Sequence, residues 1–235
     1  MGEKVYQVLS TRKIPETLIR QAKEHNIFID EIEFIKTEPV KDAAVKEKIK
    51  QYAEEKIIAI FTSKHAADAV FAEINFQPKW KVYCTSGRTK ETLLKYVNAD
   101  AIIDTADNAA ELAEKIWSNG EGEAPAHCVF FCGNRRLDVL PNKLLTAQIG
   151  LQELVVYETN FAPQKVNLGY NGILFFSPSA VQSFFLVNQI SHITLLFSIG
   201  KTTKKELQKY TRNKIIVAEK PTVESMMNDV MKLAW

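Results

Sequence analysis

The sequence contains the same pattern twice. Ser177 stands 114 positions after Ser63, and at that spacing the two stretches align without a gap. The matching positions are Ala66 with Ala180, Phe71 with Phe185, Thr89 with Thr203, Leu93 with Leu207, Lys95 with Lys209, Tyr96 with Tyr210 and Asn108 with Thr222. Chance accounts for any single match, because βα units share their apolar spacing. A gap-free set favours one structural unit used twice.

Short apolar, β-branched runs alternate with longer helical patterns along the whole chain. This alternation is typical of a parallel sheet flanked by helices, so we predict an α/β fold. The predicted strands are the runs 4–10, 57–63, 81–86, 101–105, 127–133, 154–159, 173–177, 194–200 and 214–219.

The repeat leaves residues 1–33 and about 125–160 without a counterpart. The simplest solution joins the N-terminal βα unit to the C-terminal copy. We therefore predict a discontinuous domain 1 of residues 1–34 and 161–235, with domain 2 of residues 41–153 inserted in it. Pro39 in the linker 35–40 and Pro163 just after the linker 154–160 suit extended segments, and two such linkers would form a hinge.

The overall charge argues against a nucleic-acid partner. The formal net charge is +2, from 30 basic and 28 acidic side chains, with no long run of one sign. Nucleic-acid grooves are strongly basic. No apolar stretch approaches the roughly 20 residues that span a bilayer, and the start lacks the layout of a signal peptide. We therefore expect a cytoplasmic protein without a membrane partner, and a monomer.

Hydroxyl groups are concentrated where predicted strands end and helices begin. In an open parallel sheet these turns form the binding crevice. The first turn of a helix offers unpaired N–H groups and a partial positive charge, so we predict anion sites here. The candidates are Thr62, Ser63, Thr85, Ser86, Thr89, Gly133, Asn134, Ser177, Ser179, Gly200, Thr202 and Thr203. The alternative is that each side chain only caps its own helix.

The sequence indicates neither a metal nor a cofactor. The familiar nucleotide and hydrolase motifs are absent, and the four histidines lack a paired metal-binding spacing. His65 stands at a predicted crevice turn, and we interpret it as a bystander. Cys84, Cys128 and Cys132 are interpreted as buried thiols.

Five ordered motifs resemble those of the uroporphyrinogen-III synthase family. They are FTSKHA from Phe61, FFCGNRRLDVLPNKL from Phe130, VYET from Val156, FFSPSA from Phe175 and SIGKTTKKEL from Ser198. The early STR at Ser10 to Arg12 fits the usual end of the first strand. Each motif is short, but the ordered set is specific and covers nearly the whole chain.

The resemblance implies two flavodoxin-like domains, one inserted in the other and joined by a two-stranded linker. It implies a lyase that closes hydroxymethylbilane, a linear tetrapyrrole rich in carboxylates, into uroporphyrinogen III in haem biosynthesis. In the implied route the terminal hydroxyl leaves as water, an azafulvene cation forms, and a spiro intermediate leads to inversion of ring D. No metal or organic cofactor is implied.

The resemblance also implies roles for particular residues. Tyr157 is the candidate proton donor, since a phenol is neutral at pH 7 and can donate. The alternative is an aromatic side chain packed at a domain junction. Thr203, with Thr202, Ser177 and Ser179, is expected to bind substrate carboxylates, and Arg12 and Lys64 join this set through their motifs. The turn around Ser86 departs from the family pattern, so its contacts do not follow from the resemblance.

Two other interpretations stay open. Duplicated α/β domains also suit a non-catalytic, bilobal binding protein for small polyanionic ligands. An inactive regulatory relative could keep the synthase fold without its activity, because fold alone does not establish function.

Overall fold

The computed structural model describes residues 5–119, 127–167 and 169–232. In chain order the elements are β1 (Tyr6–Ser10), α1 (Glu16–Glu24), β2 (Ile27–Glu31), β3 (Ile35–Pro39), α2 (Ala43–Glu54), β4 (Ile58–Phe61), α3 (Lys64–Phe71), β5 (Lys81–Thr85), α4 (Arg88–Leu93), β6 (Ile102–Ala106), α5 (Ala109–Ser118), β7 (Cys128–Gly133), α6 (Val139–Thr146), β8 (Leu151–Phe161), β9 (Gly172–Phe175), α7 (Pro178–Phe185), β10 (Leu195–Ser198), α8 (Lys201–Leu207), β11 (Ile215–Val217) and α9 (Val223–Met231). None of the helices in these ranges is long and apolar enough to cross a membrane.

The chain divides into two compact units. Unit 1 comprises Met1–Lys36 and Asn160–Trp235, and unit 2 comprises Thr37–Thr159. The sheet of unit 1 has the strand order β11-β10-β9-β1-β2, and all its neighbours are parallel. The second sheet has the order β3-β8-β7-β4-β5-β6, with parallel pairing from β8 to β6. The predicted α/β class with parallel sheets is confirmed.

Strands β3 and β8 carry the chain across the boundary of the two units. The N–H of Val40 donates to the carbonyl of Val156 at 3.0 Å, and the N–H of Ala162 donates to that of Phe34 at 2.9 Å. The bonded positions advance along one strand as they go back along the other, so the two strands are antiparallel. The hydroxyls of Thr37 and Thr159 lie 3.3 Å apart.

Both faces of each sheet are covered by a hydrophobic cluster. Consecutive residues of a strand point to opposite faces, so a strand covered on both sides must be apolar throughout. On β7, Phe131 packs in one cluster and Phe130 in the other. On β1, Val8 and Leu9 divide between the two clusters of unit 1 in the same way. This explains why the predicted strands read as continuous apolar runs.

The predicted repeat is present in the structure. Helix α3 and helix α7 begin and end at residues 114 positions apart, as do β4 and β9. Phe71 stacks on Tyr96 with ring centroids 4.7 Å apart, and the equivalent Phe185 stacks on Tyr210 at 4.8 Å. Both copies therefore keep the same packing between their two repeat helices.

Candidate active site

Unit 2 gathers several of the predicted residues at the carboxyl edge of its parallel strands. The turns after β4, β5 and β7 all lie at this edge, and β8 passes beside β7. In parallel sheets this edge is where ligands bind. Each turn differs in what its side chains contact.

The turn after β4 begins helix α3. The Ser63 hydroxyl accepts a hydrogen bond from the N–H of His65 at 3.2 Å, so Ser63 caps the helix. Thr62 is partly buried beside it. Lys64 lies in the first turn, with its ammonium 3.7 Å from the Asp68 carboxylate. The turn thus presents a capped helix N-terminus and one partly exposed cation.

The turn after β5 is occupied by contacts within the protein. Gly87 begins α4 with a φ of +69°, a left-handed conformation that favours glycine. The Ser86 hydroxyl donates to the Asp107 carboxylate at 2.6 Å, and the Thr85 hydroxyl donates to that of Thr89 at 2.9 Å. Thr89 is only 6% exposed. A carboxylate at this turn disfavours an anionic ligand beside Ser86.

The turn after β7 does not lead directly into a helix, because α6 begins only at Val139. Asn134 instead binds the neighbouring strand. Its N–H donates to the carbonyl of Tyr157 at 3.2 Å, and its side-chain oxygen accepts from the N–H of Thr159 at 2.9 Å. Gly133 is buried, and its backbone lies against the Tyr157 ring.

Tyr157 lies on β8 with its phenol at the start of α3. Burial raises the pKa of Tyr157 above its ordinary 10.0, while a hydrogen bond from Ser63 lowers it and the nearby Cys132 raises it. The His65 ring lies 5.7 Å from the Tyr157 ring, measured between centroids. The net effect keeps the phenol protonated at neutral pH, as a proton donor requires.

Unit 1 presents the remaining predicted residues at the edge of its own sheet. Ser177 caps α7, with its hydroxyl accepting from the N–H of Ala180 at 3.1 Å, and Pro178 opens the helix. Ser179 is partly buried in the first turn. After β1, the Arg12 guanidinium lies 4.9 Å from the centre of the Phe176 ring. A serine cap and a stacked arginine therefore lie on neighbouring strand ends.

The last predicted turn begins α8. Gly200 is its N-cap, Thr202 is exposed and Thr203 is 2% exposed. Thr202 is therefore accessible to solvent, whereas the side chain of Thr203 is covered. Binding through Thr203, like the other predicted substrate contacts, stays a prediction.

Two further residues lie at these edges. The interpretation of His65 as a bystander stays a prediction, with its ring beside that of Tyr157. Asp107 is absent from the predicted set, because its contact with Ser86 depends on the pairing of β5 with β6. Within residues 5–119, 127–167 and 169–232, no three His, Cys, Asp or Glu side chains form a group suited to a metal ion.

Comparison with known proteins identifies the family. A family model described as uroporphyrinogen-III synthase HemD matches residues 16–228. The uroporphyrinogen-III synthetase structure from Helicobacter pylori is 17% identical over 97% of this chain and 100% of its own, with a TM-score of 0.64. A mutant uroporphyrinogen III synthase from Thermus thermophilus is 11% identical over 98% of both chains, with a TM-score of 0.68. At these identities the structures show the fold. A search of curated proteins finds no match.

The fold and the edge turns define a two-unit α/β protein with hydroxyl groups and helix N-termini at the carboxyl edges of its parallel sheets. The chain belongs to the uroporphyrinogen-III synthase family, and its activity is that of a synthase of the lyase class. The family suggested by the five motifs and the predicted enzymatic function are confirmed. Neither the binding protein nor the inactive relative is favoured by any of these matches.

Proposed function

We propose that this synthase binds the carboxylates of hydroxymethylbilane. Tyr157 then protonates the terminal hydroxyl of this substrate, which leaves as water. The product is uroporphyrinogen III, formed with inversion of ring D. The observation that carries the proposal is the environment of Tyr157, whose pKa is raised by burial and whose phenol lies at the capped N-terminus of α3.

The hydrogen bond of Ser63 leaves the phenol proton available. The Ser63 oxygen accepts from the N–H of His65, and the hydrogen bond between Ser63 and the phenol lowers the pKa of Tyr157, as a serine that donates to the phenol oxygen would. Hydrogen bonds in such a chain polarise one another. The phenol can then donate its proton to the terminal hydroxyl of the substrate. That hydroxyl leaves as water, and the phenolate is stabilised by Ser63.

The later steps return to Tyr157 the proton that it donates in the first step. Loss of water leaves an azafulvene cation, which the substituted carbon of ring D attacks to give the spiro intermediate. The bond from this carbon to its original methylene bridge then breaks, and the other α-carbon of ring D bonds to that methylene, which inverts ring D and closes the macrocycle. The final aromatisation releases one proton, which the Tyr157 phenolate can take back. No net proton is consumed at the enzyme.

Two capped helix N-termini are the strongest candidates for holding carboxylates, through their backbone N–H groups. Ser63 and Ser177 cap helices α3 and α7, and each of these helices has eight residues. N–H groups at a helix N-terminus stabilise an anion by about 0.3–1 kcal/mol at an exposed site. Lys64 supplies a positive charge in unit 2, and Arg12 supplies one in unit 1. We assign substrate carboxylates to the N-terminus of α3 together with Lys64, and to the N-terminus of α7 together with Arg12.

Weakly held carboxylates suit a reaction in which orientation decides the product. The substrate can cyclise alone without inversion of ring D. An enzyme that fixes the reacting ends in the productive geometry gains rate and selectivity together. The side chains Thr62, Ser179 and Thr202 are assigned to supporting contacts, because all three are partly or fully exposed at these turns. We propose that one chain suffices, as a monomer in the cytoplasm.

The decisive experiment supplies freshly made hydroxymethylbilane and separates the oxidised porphyrin isomers. Isomer III above the spontaneous background is expected. Tyr157→Phe should lower kcat by roughly 10- to 100-fold without abolishing the reaction, because general acid catalysis is one contribution beside orientation. Tyr96→Phe is the matched control, since Tyr96 is an exposed tyrosine of the same unit whose ring stacks on Phe71.

Other outcomes would separate the alternatives. Binding of the substrate with only isomer I would indicate a non-catalytic binding protein. Neither binding nor isomer III would indicate an inactive relative. A Tyr157→Phe variant with the kcat of the unmodified enzyme would remove Tyr157 from the mechanism while leaving the synthase activity intact.

A further inference from the structure

Strand β8 contains an irregularity next to Tyr157. Cys132 of β7 pairs with Val155, but the next residue, Gly133, pairs with Tyr157, so Val156 has no partner on β7. An extra residue of this kind is a β-bulge, and bulges change the direction of the side chains that follow. In a regular strand Val156 and Tyr157 would point to opposite faces. Here both pack against the same hydrophobic cluster, which includes Phe131.

Gly133 provides the space into which the redirected ring fits. A Cβ atom at position 133 would lie 2.6 Å from Cε2 and 2.8 Å from Oη of Tyr157, and it would also contact Cζ. Real Cβ contacts are longer than this, so any other residue would push the phenol away. Gly133 has no left-handed φ, and the three atoms nearest to such a Cβ all belong to the Tyr157 ring and its hydroxyl.

Asn134 holds the strand in place beyond the bulge. Its N–H binds the carbonyl of Tyr157, and its side-chain oxygen binds the N–H of Thr159. The Arg135 guanidinium also donates to the carbonyl of Thr159 at 2.8 Å. These bonds continue the contacts of β7 with β8 past the point where regular pairing is disturbed. The backbone that carries Tyr157 is therefore fixed on its β7 side.

We infer that Gly133, Asn134 and the bulge at Val156 form a positioning device that aims the Tyr157 phenol at the N-terminus of α3. Gly133 and Asn134 thus act through Tyr157 and do not bind the substrate themselves. The inference rests on the proposed role of Tyr157 as proton donor. Loss of positioning should lower kcat more than substrate affinity, since an interaction made only in the transition state is lost.

The first test is a double-mutant cycle of Gly133→Ala and Tyr157→Phe. Alone, Gly133→Ala should lower kcat by roughly 10- to 100-fold, as Tyr157→Phe does, with KM changed less than about twofold. In the Tyr157→Phe background it should cause no further loss, because the phenol is already absent. Gly150→Ala is the control, since a Cβ at that glycine of the same unit meets no atom within 4 Å.

The pH dependence of kcat provides a further measurement, and a general loss of structure would not shift it. In the unmodified enzyme, burial keeps the pKa of Tyr157 above 10.0. A ring displaced by Gly133→Ala loses part of that burial, so the alkaline decline of kcat should begin at lower pH. An unchanged profile together with an unchanged kcat would overturn the inference.

Asn134 provides a second test that does not depend on the folding of Gly133→Ala. Asn134→Ala removes the acceptor for Thr159 and should lower kcat, whereas Asn134→Asp keeps an acceptor oxygen and should restore most of the turnover. If the Asn134 amide bound a substrate carboxylate, the aspartate would repel it and raise KM. That result would overturn the positioning role.

The outcomes separate the inference from the proposal on which it rests. If Tyr157→Phe leaves kcat unchanged, the role of Tyr157 itself is wrong. If Tyr157→Phe is impaired but the losses from Gly133→Ala and Tyr157→Phe multiply, Gly133 acts independently of the phenol and the inference is wrong. A higher KM with unchanged kcat in Gly133→Ala would indicate direct substrate binding and would likewise overturn it.

Discussion

Burial determines the chemistry of the three cysteines. Cys84 on β5 and Cys128 and Cys132 on β7 are buried within the hydrophobic clusters of unit 2. Burial raises the pKa of each thiol from 9.0 to about 11. A thiol that stays protonated is a poor nucleophile. Their interpretation from the sequence as buried thiols is confirmed.

These thiols predict how stability depends on alkaline pH. Because the pKa is higher in the folded than in the unfolded protein, the stabilising contribution is complete below pH 9 and is lost as pH rises to about 11. The free energy of unfolding from urea titrations should therefore fall between pH 8.5 and roughly 11. Cys128→Ala should make this fall less steep, since it removes one of the groups. A free energy that is constant across this range would contradict the assignment.

The sequence identified several residues of the candidate site but not their surroundings. Ser63 and Ser177 could be placed at helix starts because a hydroxyl residue directly follows an apolar run. The partner of Ser86 is Asp107, which is distant in the sequence and could be found only after the strands were paired. The direction of Tyr157 was equally hidden, because one extra residue in β8 reverses the alternation that sequence reasoning assumes.

At the scale of elements, the helix starts are the feature that the repeat predicted best. The repeat aligns Ser63 with Ser177 and Asn108 with Thr222, and each of the four side chains accepts a hydrogen bond from the first turn of its own helix. Capping is a local interaction, so it can be recognised from a short stretch of sequence. Capping does not exclude ligand binding, because a serine hydroxyl can accept one hydrogen bond and donate another.

The two roles of Ser177 can be separated by comparison with a cap outside the candidate site. Ser177→Ala and Asn108→Ala should each lower the free energy of unfolding by about 1 kcal/mol, the usual cost of a lost cap. If Ser177 also binds a substrate carboxylate, its variant alone should raise KM. Urea unfolding and steady-state kinetics on both variants provide the measurement. Equal KM values would leave Ser177 as a helix cap only.

All nine predicted runs form strands, but β2 and β3 were not among them. Strand β2 lies at the edge of the first sheet, and only Ile27 of its residues is buried. Strand β3 lies at the edge of the second sheet with no fully buried residue. Edge strands need little apolar sequence, because their pairing depends on a neighbour that is distant in the chain. Propensity alone therefore could not reveal them.

At the scale of the whole molecule, the two units differ in how their cores are assembled from the chain. Both hydrophobic clusters of unit 2 consist of residues from 45 to 157, a continuous stretch. The clusters of unit 1 combine residues from both ends of the chain, such as Val8 with Phe197 and Leu9 with Phe175. Unit 2 can therefore complete its core without the rest of the chain, whereas unit 1 requires both of its segments.

This difference predicts which fragment folds alone. A fragment of residues 35–161 contains every strand of the second sheet and should show a cooperative urea transition. A fragment of residues 161–235 is the matched control. It lacks β1, which is hydrogen-bonded to β9 in the interior of the first sheet, so half of the pairing of β9 is lost. This fragment should show no cooperative transition until a peptide of residues 1–34 is added. A 35–161 fragment without a transition would show that unit 2 depends on contacts outside its own clusters, and the predicted independence of the inserted domain would then be wrong.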